Sequence, residues 1–190
     1  MWMQRACLHT PPYTCAMSNI PASDNGTFLW MTYQAMSKAG LDCAAIFASV
    51  GMPDEPPDRS QRRINSPQQR FWDAAEKVSG DPDIGLRIGG MLPAWRGQVL
   101  EYLFLSSPTF GEGLERALRY SRLMTDAMQF QLRVEGERAI LSGLSHPVRH
   151  YLECATCIVL RFLRHVSEAD FQPQHIQFEH AEGGSGPLYE

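Results

Sequence analysis

The spacing of apolar residues changes along the chain, and this change constrains the order of its structural elements. One stripe at helical spacing contains Phe110, Leu114, Ala117, Leu118, Ser121 and Met124. From residue 129 to residue 135, apolar and polar residues alternate instead. Gly136 then provides a turn, and residues 138–144 return as a partner strand. The change of period therefore predicts a helix followed by a β-hairpin.

The segments on either side of this hairpin decide the fold class. Several predicted helices precede it, and Pro147 opens the longest helix, which runs to about Val166. A last strand is predicted after that helix, with Ile176 and Phe178 facing the interior. The sequence thus predicts an α+β fold, in which a helix-rich N-terminal part is followed by a β-hairpin, a long helix and a further strand packed on a small sheet.

Capping residues set the predicted boundaries of the shorter helices. Such starts occur at Thr27, Asp42, Ser66, Asp81 and Thr109. The helix that follows Asp81 is predicted to end at Gly89-Gly90. Residues 1–26 are rich in proline and polar residues without a period, which predicts a poorly ordered N-terminal tail. Residues 27–190 are then expected to form one domain.

Composition excludes several functional classes. The chain has 17 Lys and Arg against 21 Asp and Glu, a formal charge of -4, which argues against unaided binding of nucleic acid. No apolar run approaches the roughly 18 residues of a membrane span, and the first 20 residues, interrupted by Arg5, His9, Pro11 and Pro12, lack the apolar region expected of a signal peptide. The five cysteines form no disulfide framework and favour a cytoplasmic location. Because no catalytic set or phosphate loop occurs, we expect neither an enzyme nor a cofactor.

Three stretches of sequence occur in a fixed order that resembles a known family. The first runs from Gly40-Leu41-Asp42 to Gly51-Met52, and the second combines Phe71-Trp72-Asp73 with Gly80-Asp81-Pro82. The third and most specific stretch includes Leu105-Ser106-Ser107-Pro108-Thr109-Phe110-Gly111-Glu112. Together they resemble the N-terminal effector-binding domain of AraC-type transcription regulators, in the "arabinose-binding domain" subgroup that is similar to ornithine-utilisation regulators.

This resemblance implies a regulatory function in a bacterial transcription factor. Domains of this type bind a small effector and often form homodimers, and a separate C-terminal helix-turn-helix domain binds DNA. From the resemblance, that C-terminal domain is expected to be absent from this chain, and the chain is expected to end inside or near the end of the effector-binding and dimerisation domain. DNA would then be a partner only through the absent domain, and the two apolar faces of the long helix favour that helix as the dimer contact.

Five residues are candidates for contacting the effector: Trp95, Arg96, Tyr102, Tyr120 and Tyr151. An arginine beside apolar residues can hold a carboxylate in a bidentate pair. Aromatic side chains with a polar tip commonly line pockets for small ligands. The alternative interpretation is that the arginine is a solvated loop residue and that the aromatic side chains belong to the core.

A polar stripe on the long helix offers a different function. His150, Cys154, Cys157 and Arg161 share the side of this helix that lies opposite its apolar face. Histidine and thiolate could bind a soft metal, or the thiols could respond to oxidants if the cations lowered their pKa. A metal- or thiol-based sensor that uses His150, Cys154 and Cys157 is therefore an alternative. The other explanation is that this side packs against a second element, where cysteine serves as a small apolar residue.

Overall fold

The computed structural model describes residues 21–93, 96–168, 171–181 and 183–184. Seven α-helices occur in these ranges: α1 (Gly26–Lys38), α2 (Cys43–Ala48), α3 (Gln68–Ser79), α4 (Ile84–Met91), α5 (Val99–Leu105), α6 (Phe110–Arg119) and α7 (Arg149–Val166). The described strands form two antiparallel pairs: β1 (Ser23–Asn25) with β2 (Arg62–Ile64), and β3 (Gln131–Glu135) with β4 (Arg138–Ser142). The predicted α+β fold is confirmed.

Helix α7 is the central element of the described structure. Its most extensive contact is with α4, which crosses it at unusually short range. A Cβ atom on Gly89 would lie 2.6 Å from Cβ of Cys157, and one on Gly85 would lie 2.6 Å from the carbonyl oxygen of His150. Gly89 and Gly90 lie inside α4, so the predicted helix end at Gly89-Gly90 is wrong. At Gly85 and Gly89 the absence of a side chain permits the close approach of α7.

Two apolar clusters surround α7 and leave a gap between them. The larger cluster joins α1, α2, α3, α4 and the N-terminal half of α7, and its fully buried side chains include Met36, Ile46, Phe47, Trp72, Ile84, Ile88 and Tyr151. The smaller cluster joins α5 and α6 to the C-terminal half of α7 through Phe104, Leu114, Ala117 and Leu163. The hairpin β3–β4 lies against the second cluster through Leu132.

Most predicted helix starts are close to the observed ones. The Asp42 side chain accepts a hydrogen bond from the Ala45 amide (3.0 Å), and Thr109 accepts one from the Glu112 amide (3.2 Å), so both caps are confirmed. The cap of α1 is Asn25, which accepts from the Thr27 amide at 2.8 Å. Ser66 does not cap α3, because that helix begins after Pro67 without a side-chain cap.

Two predictions about the ends of the domain are wrong. Residues 171–181 contain no strand; Phe178 is half-buried against the core, but Ile176 is exposed. Alternation produces a strand only where the segment pairs with a neighbouring strand, and residues 171–181 pair with neither β3 nor β4, which within the described ranges pair only with each other. At the other end, Ser23–Asn25 lies in the predicted tail yet forms β1, so the ordered domain begins before residue 27; residues 1–20 lie outside the described ranges.

No helix among the described residues combines the length and the apolar character that crossing a bilayer would require.

Candidate functional site

A cavity of about 110 Å³ lies between the hairpin and the helices. Helix α7 contributes Ala155, Ile158, Val159, Phe162 and Leu163 to its wall. Helix α6 contributes Leu114, Ala117 and Leu118 from the opposite side. The remaining wall comes mainly from Phe28, Leu100, Met124, Met128, Phe130 and Leu141. We call this space the apolar cavity, because hydroxyl groups provide its only polar side-chain atoms within the described part of the chain.

One end of the apolar cavity carries a hydrogen-bonded carboxylate behind its wall. The hydroxyl of Tyr151 donates to Oδ1 of Asp24 at 2.8 Å, and the hydroxyl of Thr125 donates to the same oxygen at 2.7 Å. Oδ2 of Asp24 accepts from the side-chain amides of Asn65 (2.7 Å) and Gln68 (3.3 Å). Asp24 is only 5% exposed, so these donors replace the water that its carboxylate loses on folding.

The protonation states of the neighbouring groups follow from this arrangement. Burial, reinforced by the negative charge of Asp24, raises the pKa of Tyr151 far above its usual range. His146 stacks on the Tyr151 ring with centroids 4.3 Å apart, and burial lowers the pKa of this histidine. At neutral pH the cluster therefore contains a neutral phenol and a neutral imidazole, and Tyr151 is held as a donor.

A second, more polar cavity of about 360 Å³ lies on the other side of Asp24. The pair β1–β2 contributes Asn25 and Arg62 to its wall, and α3 contributes Gln68 and Trp72. We call it the polar cavity. Asp24 lines the polar cavity directly, whereas Tyr151 and Thr125 line the apolar one. The same carboxylate therefore connects the two spaces.

The predicted effector contacts are not brought together. Tyr151 lines the apolar cavity, but Tyr102 is 65% exposed and Tyr120 is 46% exposed. Arg96 is exposed on the loop before α5, and Trp95 lies outside the described residues. Aromatic residues beside an apolar segment were predicted to line a pocket, but the exposed face of a helix has the same composition.

Several residues of the cavity region were missed by sequence reasoning. Asp24 belonged to the predicted tail, and the sequence carries no signal that a strand would bury it. Met124 and Met128 line the apolar cavity beyond the end of α6, where the short 3₁₀ turn Ser121–Leu123 interrupts the helical period. Met124 ended the apolar stripe predicted from Phe110 onward, whereas the only signal for Met128 was its spacing from Met124, which matches one turn of a helix but does not show what it faces.

The polar stripe of α7 packs against other elements, as its alternative explanation proposed. Nε2 of His150 lies 2.9 Å from Oε2 of Glu76, and its Nδ1 lies 3.1 Å from Oε2 of Glu153. Cys154 is fully buried, and Cys157 lies against Gly89 of α4. The stripe is therefore part of the interface between α7 and its neighbours α3 and α4.

The thiols of this stripe do not have the lowered pKa on which the thiol-sensor alternative depends. Burial raises the pKa of Cys157 to about 11, and burial also raises that of Cys154 well above its usual value. Arg161 lowers the pKa of Cys157, but the loss of solvent on burial has the larger effect and leaves this pKa raised. Both thiols are protonated at neutral pH, whereas thiol sensing requires a thiolate. Among the described residues, no group of three or more His, Cys, Asp and Glu side chains is arranged to hold a metal ion.

Comparison with known proteins adds one family. A family model described as "Arabinose-binding domain of AraC transcription regulator, N-term" matches residues 40–190, which is most of the chain. The match includes the elements that line the apolar cavity, except for Phe28 of α1. No curated protein matches the chain.

Proposed function

Because the chain belongs to the family of N-terminal arabinose-binding domains of AraC transcription regulators, we propose that it senses a small effector in the apolar cavity. The family is a regulatory ligand-binding domain, and this assignment favours a sensor over an enzyme. The observation that carries the proposal is the cavity itself, since four helices and the hairpin meet there without filling the space between them. We further propose that the protein acts in the bacterial cytoplasm.

The position of the cavity supports a role in signalling. A ligand shifts an equilibrium only by the difference between its affinities for two states. The apolar cavity is bounded by separate elements, so a molecule inside it would favour the arrangement of α6, α7 and the hairpin that contacts it best. We propose that this bias reaches a separate helix-turn-helix domain that binds DNA. The net charge of -4 of the present chain fits this proposal, because binding to DNA phosphates would then depend on the separate domain.

Native mass spectrometry tests the proposed site. The purified chain is incubated with a small-molecule extract of bacterial cells, desalted, and measured beside two variants. Ala155→Leu adds volume inside the cavity, whereas Ala74→Leu adds the same volume on α3 outside it. We expect a bound molecule in the unmodified chain and in Ala74→Leu, and none in Ala155→Leu. Equal occupancy in both variants, or no bound molecule in the unmodified chain, would contradict the proposal.

We also propose that the chain forms a homodimer, with its contact on α5. The long helix α7 was the predicted contact, but of its side chains only Arg164 is exposed. Helix α5 instead presents Val99 (47% exposed), Tyr102 (65%) and Leu105 (59%) at a spacing of three residues. Apolar side chains on one exposed face are typical of a protein contact.

Sedimentation equilibrium tests this contact. Tyr102→Glu places a charge at the centre of the exposed face, so we expect it to convert the dimer to a monomer. Val134→Glu is the matched control, because Val134 is equally exposed (68%) but lies on the hairpin. A monomeric unmodified chain, or a dimer that survives Tyr102→Glu, would contradict the proposal. The isolated chain is not expected to retard duplex DNA in a gel.

A further inference from the structure

We infer that the effector of the apolar cavity is an uncharged, largely apolar molecule about the size of a single aromatic ring, and not a sugar. This inference rests on the proposed function, since it names the chemical class of the ligand for that site. It follows from the chemistry of the wall, from the volume of the cavity and from the contrast with the polar cavity.

The wall of the apolar cavity has almost no free hydrogen-bonding capacity. Of the described residues that line it, none carries a charge. The hydroxyls of Tyr151 and Thr125 already donate to Asp24, and the Thr125 oxygen also accepts from the amide of Ala127 at 3.1 Å. The Ser121 hydroxyl is the one further polar side-chain group among the lining residues that the structure describes.

The transfer of a sugar from water into the apolar cavity would therefore be unfavourable. Each hydroxyl that leaves water without a new partner costs about 1–3 kcal/mol on mutational scales. The wall offers one serine hydroxyl, so most groups of a pentose would remain unsatisfied. An apolar ligand has no such cost, and its transfer from water contributes about 25 cal/mol for each Å² of apolar surface buried.

Volume sets the size of the ligand but does not by itself exclude a sugar. The cavity measures about 110 Å³, and an engineered apolar cavity of about 150 Å³ in another protein binds benzene. A molecule with one ring is thus close to the upper limit without rearrangement. Met124 and Met128 line the cavity with unbranched side chains, which can adjust to different apolar shapes.

The polar cavity provides the internal contrast. It is larger, about 360 Å³, and its wall includes Asn25, Arg62 and Gln68. These are the groups that a polyhydroxyl compound would need. The chain therefore holds two spaces of opposite chemistry, and the space between hairpin and helices is the one that excludes sugars.

Methyl NMR with labelled methionine distinguishes the two spaces in the unmodified chain. The ε-methyl groups of Met124 and Met128 report on the apolar cavity, that of Met52 reports on the polar cavity, and that of the fully buried Met36 serves as a control. Each signal is assigned from a Met→Leu variant. Toluene and L-arabinose are titrated separately to the same concentration.

We expect toluene to shift the Met124 and Met128 signals and to leave Met36 unchanged, with L-arabinose shifting neither cavity signal. Ala155→Leu should weaken toluene binding at least tenfold, and Val159→Phe fills the same space if the first variant does not fold. Ala74→Leu should bind toluene like the unmodified chain.

Other outcomes overturn the inference in distinguishable ways. If L-arabinose shifts Met124 and Met128 and toluene does not, the ligand class is wrong but the proposed site stands. If L-arabinose shifts only Met52, the effector site is the polar cavity, and both the inference and the proposed site are wrong. If neither compound shifts Met124 or Met128, the apolar cavity does not bind a ligand of this class and the inference fails.

Discussion

The close approach of α4 to α7 gives the sharpest prediction about stability. Gly89 and Gly90 are adjacent in α4, but only Gly89 faces α7. A Cβ atom at residue 89 would lie 2.6 Å from Cβ and 2.7 Å from Sγ of Cys157, well inside the optimum of about 3.5–4.0 Å for carbon atoms. A Cβ atom at residue 90 would meet nothing within 4 Å. The two Gly→Ala variants therefore differ in one interaction.

The expected magnitude follows from two opposing effects. Alanine in place of glycine inside a helix stabilises it by about 0.5–1 kcal/mol, because the unfolded chain loses less entropy. This gain is common to both variants. Overpacking a core contact costs about 1–3 kcal/mol. We expect the upper half of that range for Gly89→Ala, because rotation of the Cys157 side chain moves Sγ but leaves its Cβ in place.

Urea denaturation of both variants measures the difference. We expect Gly90→Ala to be more stable than the unmodified chain by about 0.5–1 kcal/mol. Gly89→Ala should be less stable than Gly90→Ala by about 2–3 kcal/mol, with an unchanged dependence on urea concentration. Gly85→Ala should be at least as destabilised, since the atoms 2.6 Å from a Cβ there include the Cα and the carbonyl oxygen of His150 as well as Oε2 of Glu153. Equal stability of the variants at 89 and 90 would refute the packing of α4 on α7.

Two further predictions concern buried polar groups. Burial lowers the pKa of His150, but its hydrogen bonds to Glu153 and Glu76 outweigh this effect and leave the pKa raised. The stabilisation that protonated His150 contributes is therefore complete below its pKa in the unfolded chain, about 6.5. This stabilisation is lost as the pH rises through the higher pKa of the folded state. Thermal melts from pH 5 to pH 9 should show this loss in the unmodified chain and a flatter profile in His150→Gln; parallel profiles would contradict the prediction. Tyr151→Phe removes one donor to the buried carboxylate of Asp24 and should lower the free energy of unfolding by about 1–3 kcal/mol in urea titrations, and an unchanged midpoint would show that the hydrogen bond does not stabilise the fold.

The sequence predicted those parts of the fold that depend on local interactions. The caps at Asp42 and Thr109 and the turn at Gly136, which has a φ of 62°, are set by residues within one or two turns of chain. The hairpin follows from alternation over few residues, and its observed pairing places Leu132 opposite Leu141. Such features require no knowledge of distant segments.

The missed features depend on distant partners. β1 forms because Ser23–Asn25 pairs with Arg62–Ile64. Neither of these short segments carries a sequence pattern that predicts its pairing with the other. Gly89-Gly90 has the composition of a helix end, and only the position of α7 shows why glycine occurs inside a helix. Part of the candidate site, apart from Tyr151, was missed for the same reason. Asp24 becomes part of it through donors that lie between 41 and 127 residues away along the chain.

Asp24 also determines how the apolar cavity could communicate with the rest of the domain. Tyr151 and Thr125 line that cavity, and both donate to one carboxylate oxygen, while the other oxygen accepts from Asn65 and Gln68. A ligand that displaced either hydroxyl would leave a buried charge with fewer donors, which is costly. A ligand that held both hydroxyls in place would stabilise the same network. We therefore expect effectors to act through their effect on this carboxylate, since its position in β1 links the cavity to the start of α1 and α3.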